Sequence, residues 1–216
     1  MPKSYVMKGL GRLRKDDGRD HDFLMSSVLK KAPIPKSGRK MWYNDVSLNQ
    51  GNTPTCVGHA WAGFLISQPK RQFGVDPFDI YREAQKVDEW PGNSYNGTSV
   101  RAGAKVLRKI GKLKSYRWAF DIKTTLNWLY NVGPVVVGTL WYTGMYRPNR
   151  AGLIRPTGRP DGGHAYILQG VDFNRKQVRI CNSWGINWGQ RGRAWMYLGH
   201  LNKLIRQGGE ICAAVE

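Results

Sequence analysis

Thr53-Pro54-Thr55-Cys56-Val57-Gly58-His59-Ala60-Trp61-Ala62-Gly63-Phe64-Leu65-Ile66 is the stretch on which the reading of this chain turns. Its proline-containing start suits entry into a helix, with Thr55 as N-cap, and Val57, Ala60, Trp61, Phe64 and Leu65 then recur at helical spacing, which predicts one buried face. Gln68-Pro69 should end the helix, because the residue before a proline is held out of the helical region. A cysteine in the first turn of such a helix lies at the positive end of the helix dipole. That position favours the thiolate, the form of the side chain that attacks carbonyl carbon.

Working outward, Gln50 stands six residues before Cys56, and His164 follows Gly162-Gly163 far downstream, where a tight turn opens into the apolar run Ala165-Tyr166-Ile167-Leu168. Asn182 ends the next predicted strand, after the turn Asp172-Phe173-Asn174-Arg175. The order Gln, Cys, His, Asn describes a thiol hydrolase. His164 would form an ion pair with Cys56 and protonate the leaving amine. The Asn182 amide oxygen would accept from the other ring nitrogen and fix the tautomer, with Trp184 shielding that bond from water. Gln50 and the Cys56 N–H would hold the oxyanion, one such donor contributing about 3 kcal/mol. Each residue has a plainer rival reading: Cys56 as a small buried hydrophobe, His164 as a core histidine, Asn182 as a turn residue, Trp184 and Trp188 as core aromatics. His59 should turn toward core or solvent rather than toward the chemistry, and Cys181 and Cys212 read as buried.

These segments together resemble the papain-like cysteine peptidases, and most of all their minimal bacterial branch, from Gln50 almost to the C-terminus. Tyr95-Asn96-Gly97-Thr98, with the helix after it, resembles the wall of the substrate groove, and the resemblance assigns Gly97, Thr98 and Gly163 to substrate binding. Gly133-Pro134-Val135-Val136-Val137-Gly138 resembles the first long strand of the family's second domain, and Asn182-Ser183-Trp184-Gly185 with Trp188-Gly189 its late motif. Around the nucleophile the family's Cys-Gly-Ser-Cys-Trp is replaced by Thr53-Pro54-Thr55-Cys56-Val57, and a family disulfide is missing at both ends, at Thr53 and at Tyr95. Thr98 replaces a groove glycine, which bears on how closely a substrate backbone can approach.

The implied architecture is α+β, a papain-like two-lobed fold with a helical left lobe and an antiparallel, barrel-like right lobe, the active site lying in the cleft between them. Residues 41–216 would form the catalytic domain, the left lobe over about 41–130 and the right lobe over about 131–216. Helices are expected over 77–87, 100–110, 121–130 and 201–208, and strands over 135–140, 164–171, 177–181, 192–197 and 210–215. Ser99, Val100, Gly138 and Gly163 are expected to line an uncharged pocket beside the scissile bond. The basic segment 1–40, with its run Asp16-Asp17-Gly18-Arg19-Asp20-His21-Asp22-Phe23, resembles the leader of the small bacterial branch. It is expected either to pack across the second lobe and obstruct the cleft or to be a solvated tail.

Composition limits the remaining choices. The chain has 216 residues, enough for a sizeable core, and its three cysteines cannot make a disulfide framework, which points to a reducing compartment. No signal-peptide-like run or membrane-length apolar stretch is present, so a soluble protein is expected, cytoplasmic or associated with a particle assembled there. No metal-ligand spacing or cofactor motif accompanies the site, and neither metal nor cofactor is expected. The formal net charge of +19 exceeds what peptide hydrolysis needs. It suits either a polyanionic partner (nucleic acid, envelope polymer or acidic protein) or a merely solubilising surface. Peptide-bond hydrolysis of a polypeptide substrate is the leading expectation. The alternatives are a peptidoglycan-cleaving amidase or endopeptidase, and a non-catalytic component of a phage or envelope assembly.

Overall fold

The structure is a computed structural model that describes residues 9–29, 33–92 and 94–215. Along the chain run β1 (Arg12–Leu13), β2 (Arg39–Met41), α1 (Cys56–Ile66), α2 (Pro77–Gln85), β3 (Thr98–Ser99), α3 (Val100–Lys109), β4 (Ser115–Ala119) and α4 (Ile122–Asn131). The second half adds β5 (Val135–Tyr142), β6 (Pro160–Asp172), β7 (Gln177–Cys181), β8 (Arg193–Tyr197), α5 (Leu198–Arg206) and β9 (Glu210–Val215). The main sheet has the order β4-β9-β5-β6-β7-β8, with β2 pairing the far end of β6, and each of these pairs is antiparallel. Among the described residues β4 and β8 do not pair with each other, so the sheet is open rather than a closed barrel.

Local chemistry explains the helix boundaries. Asp76 caps α2 by accepting from Phe78 N–H at 2.8 Å, with Pro77 in the first turn, and Asp121 caps α4 by accepting from Thr124 N–H at 2.7 Å. Ser99 caps α3 through Ala102 N–H. α1 departs from expectation twice. Thr55 holds the N-cap position, but its hydroxyl bonds to Thr53 Oγ1 and His59 Nδ1 instead of capping. The helix is also buried all round rather than on one face, because α2 and α3 cover the side that the sheet does not, and its small residues let them approach.

The core is continuous between these helices and the sheet, with Trp61, Trp118, Trp141 and Trp184 buried in it. Trp61 donates its indole N–H to Val100 O at 2.9 Å, and Gly103 of α3 lies flat against the same ring. A Cβ at Gly103 would fall 2.3 Å from Trp61 Cδ1. Gly103→Ala is therefore expected to destabilise the fold by about 1–3 kcal/mol, as overpacking does, seen as a lower urea midpoint at unchanged slope.

The described part of the segment before β2 runs along the helices and the sheet in steps that can be followed. Gly9–Leu13 crosses between α1, β3 and β6, where β1 pairs with β3 in parallel. Asp20 then pairs with the buried Arg101 of α3, Phe23 O accepts from Trp118 N–H at the β4 edge, and Arg39–Met41 joins β6. The remainder of the basic 1–40 segment, residues 1–8 and 30–32, lies outside the described residues. Among the described residues no helix is long and apolar enough to cross a membrane.

Candidate active site

Cys56 opens α1 and points at β6, where its Sγ accepts from Ala165 N–H at 3.4 Å. Register brings the rest of the site to the same place. Gly138 of β5 sits between Ala165 of β6 and Glu210 of β9, and the neighbouring pair is Thr139 with His164. Three residues distant in sequence thus share one line across the sheet, directly under the start of α1.

His164 is fully buried. Its Nε2 lies 2.8 Å from Asn182 Oδ1, which also accepts from Ser183 N–H at 2.8 Å, while its Nδ1 has no hydrogen-bond partner. Because the amide oxygen of Asn182 can only accept, Nε2 carries the proton and Nδ1 presents a lone pair. The ring centroids of Trp141 and Trp184 each lie 4.8 Å from that of the imidazole. Burial depresses the His164 pKa to about 4, against the hydrogen bond with Asn182. It raises the Cys56 thiol to about 11, against backbone hydrogen bonds from Ala165, Gly11 and Val57 and the positive charge of Arg12. In this conformation both groups are neutral near pH 7.

Gln50 is held by Ser183, whose Oγ donates to Gln50 Oε1 at 2.6 Å, while Gln50 N–H donates to Ser183 O at 2.8 Å. The amide Nε2 is thereby turned to donate to Thr53 O at 2.7 Å and to Gly9 O at 2.9 Å. Ser183 lies within the Asn182-Ser183-Trp184-Gly185 motif, which by itself assigns it no role. Its positioning of Gln50 needs a contact between residues 133 positions apart, which no local pattern signals.

The same Gly9–Leu13 segment packs on Thr53 and Pro54 before α1, on β3 and on Gly163 of β6. Thr98 N–H donates to Gly11 O at 2.9 Å, and the Thr98 hydroxyl donates to Asp88 Oδ2 at 2.7 Å. Gly97, in the left-handed region at φ 110°, packs on the Gly11 carbonyl, and a Cβ on Gly163 would fall 2.0 Å from Arg12 O. Arg12 extends between Val100 and Gly138 to Glu210, with Nε and Nη2 at 2.8 and 2.6 Å from Oε2. This corrects the expectation of an uncharged pocket. Ser99 is occupied as a helix cap, and the floor is a carboxylate delivered by β9 from far along the chain. His59 stays outside the site, its Nδ1 3.0 Å from Thr55 O and its ring edge-on to Phe78, and Cys181 and Cys212 are free and buried. No group of three or more metal-ligating side chains occurs among the described residues.

No protein-family model matches the sequence, nor does any curated protein. Solved structures do match. The crystal structure of xylellain, a cysteine protease from Xylella fastidiosa, superposes with a TM-score of 0.76 at 20% identity over 97% of each chain. Digestive procathepsin L 3 of the Tenebrio molitor larval midgut gives 0.67 at 16% identity, over 98% of this chain and 77% of that one. Digestive procathepsin L2 proteinase from the same tissue gives 0.65 at 15% identity, over 100% and 81%. At these identities the likeness is one of fold: this chain has the fold of the papain-like cysteine proteases.

Proposed function

We propose that this chain is a cysteine peptidase that cleaves peptide bonds through a thioester, with Gly9–Leu13 lying over its cleft as a gate. The observation that carries this reading is a peptide already in the cleft. The Gly9 carbonyl accepts from the Gln50 amide, Gly11 is held by Thr98, and the thiol of Cys56 lies beneath, beside a histidine oriented by Asn182.

With the gate displaced, the Cys56 thiolate adds to the carbonyl carbon of the substrate, and the oxyanion is met by Gln50 Nε2 and the Cys56 N–H, which the first turn of α1 leaves unbonded. His164, protonated by the thiol through Nδ1, gives that proton to the departing amine as the carbon–nitrogen bond breaks and the thioester remains. It then takes a proton from water as hydroxide adds to the thioester, and returns it to sulfur when the acid leaves. Asn182 keeps the ring in line throughout, and Trp184 keeps water away from that bond.

The test is hydrolysis of a mixed peptide library by the full-length chain carrying Arg12→Ala to loosen the gate, with Cys56→Ala as control. Cleavage that persists in the Cys56→Ala control refutes the reading. In the same background Gln50→Ala is expected to lower kcat by about 10²–10³-fold with little change in KM, since the amide acts on charge that develops only in the transition state.

A further inference from the structure

On the reading above, we infer that the pocket bounded by Val100, Gly138 and Glu210 is a subsite for a guanidinium-bearing side chain of the extended peptide laid in the cleft, and that Arg12 occupies it as an internal competitor. The pocket is built for this group. Arg12 brings Nε and Nη2 to one carboxylate oxygen of Glu210 and donates from Nη2 to Gly208 O at 3.1 Å, and the two side chains are only 5% and 9% exposed. Its stem passes where residue 138 has no side chain. A Cβ on Gly138 would fall 2.8 Å from Arg12 Nε, 2.9 Å from Val100 Cγ2 and 3.1 Å from Glu210 Oε2.

What places the side chain there is the backbone, not the identity of the segment. The Arg12 backbone is fixed between Thr98 and Gly163, through the bond of Thr98 N–H to Gly11 O and the close approach of Gly163 to Arg12 O. Any extended peptide gripped by the same two walls directs a side chain between Val100 and Gly138 toward Glu210. Burial raises the Glu210 carboxyl, and Arg12 is the cation that offsets it. Once Arg12 leaves, a substrate with a leucine there sets methyl groups against a desolvated carboxylate, which is costly. A lysine brings a single point charge, whereas a guanidinium restores two donors to the oxygen and a third to Gly208 O. Arginine should therefore be preferred over lysine, and lysine over leucine.

The experiment has two arms. In the first, the full-length Arg12→Ala chain cleaves a mixed peptide library. Cut peptides are expected to be enriched at least about tenfold in arginine at one fixed position from the cut, and the enrichment is expected to vanish with Glu210→Gln, an isosteric change. Cleavage with no such enrichment, or enrichment that survives Glu210→Gln, overturns the inference. The second arm needs no turnover. Calorimetry on the full-length chain carrying Cys56→Ser and Arg12→Ala compares capped Gly-Leu-Gly-Arg-Leu with the same peptide bearing norleucine for arginine. The arginine peptide is expected to bind at least about tenfold tighter, the difference again disappearing with Glu210→Gln. Equal affinities, or no binding of either peptide, overturn it. Absence of cleavage in the first arm thus counts against the hydrolase reading, while the second arm still decides the pocket. Near-ultraviolet circular dichroism, dominated by the buried tryptophans, checks folding. Where Arg12→Ala fails that check, Arg12→Met, which keeps the stem, replaces it.

Discussion

Full-length protein carrying Arg12→Ala is expected to hydrolyse peptides at least roughly tenfold faster than the unaltered chain, an unusual result for the loss of a buried ion pair. Removing one member of such a pair typically costs about 3–5 kcal/mol, because the other charge is left buried and unmatched. Here that cost falls on the closed conformation. When the gate lifts, Glu210 regains water, so the open state is spared most of the loss. Every 1.4 kcal/mol moved between the two conformations changes their ratio tenfold. The gate keeps its second fastening, the pairing of Asp20 with Arg101, which anchors the chain beyond the cleft and is not touched by the substitution. The measurement is kcat/KM on a cleavable peptide for both proteins at matched concentration. An unchanged or lower rate in a folded Arg12→Ala protein would falsify the gate.

Alkylation of Cys56 should differ still more between the two proteins. In the closed conformation burial holds the thiol at about 11, so the thiolate fraction at pH 7 is on the order of 10⁻⁴. His164, depressed to about 4 by the same burial, carries no charge at that pH to stabilise the thiolate. Releasing the gate lets water reach the pair, and the imidazolium and thiolate can then stabilise each other. Iodoacetamide at pH 7 is expected to modify Cys56 at least about 100-fold faster in Arg12→Ala than in the unaltered chain, followed by peptide mass spectrometry, with the buried Cys181 and Cys212 as internal references.

The sign of the pH dependence follows from the raised thiol. A group whose pKa is higher in the closed state than in the open one favours closure at pH values below its open-state pKa, and that advantage is lost as pH rises through about 11. The unaltered chain should therefore label steeply only in alkali, whereas the Arg12→Ala profile should already be high near neutrality. Superimposable profiles for the two proteins would show that the thiol is not controlled by the segment above it.

Several features were legible without coordinates because they depend on short-range rules. The strands Gln177–Cys181 and Glu210–Val215 lie where alternation and turn residues placed them, and α2, α3 and α4 each start directly after a capping residue, Asp76, Ser99 and Asp121. α5 begins earlier than expected, at Leu198, directly from the end of β8, so that no turn residue marks its start. α1 was readable as a helix, but its burial on every side was not, since periodicity reports one face and cannot report a second layer packed on the other.

For the site, the motif order pointed to Gln50, Cys56, His164 and Asn182, and the structure gathers these four around the start of α1. The sequence by itself determined the residue types able to do thiol chemistry and the elements that carry them, because propensity, capping and periodicity act within a few positions of the chain. Only the tertiary structure decided what surrounds them: Ser183 turning Gln50, Glu210 flooring the pocket through its place beside Gly138, and Gly9–Leu13 lying over the sulfur. These depend on strand order and on contacts between residues more than a hundred positions apart. The desolvation that keeps thiol and imidazole neutral is set by those same contacts, and it has no counterpart in the order of the residues.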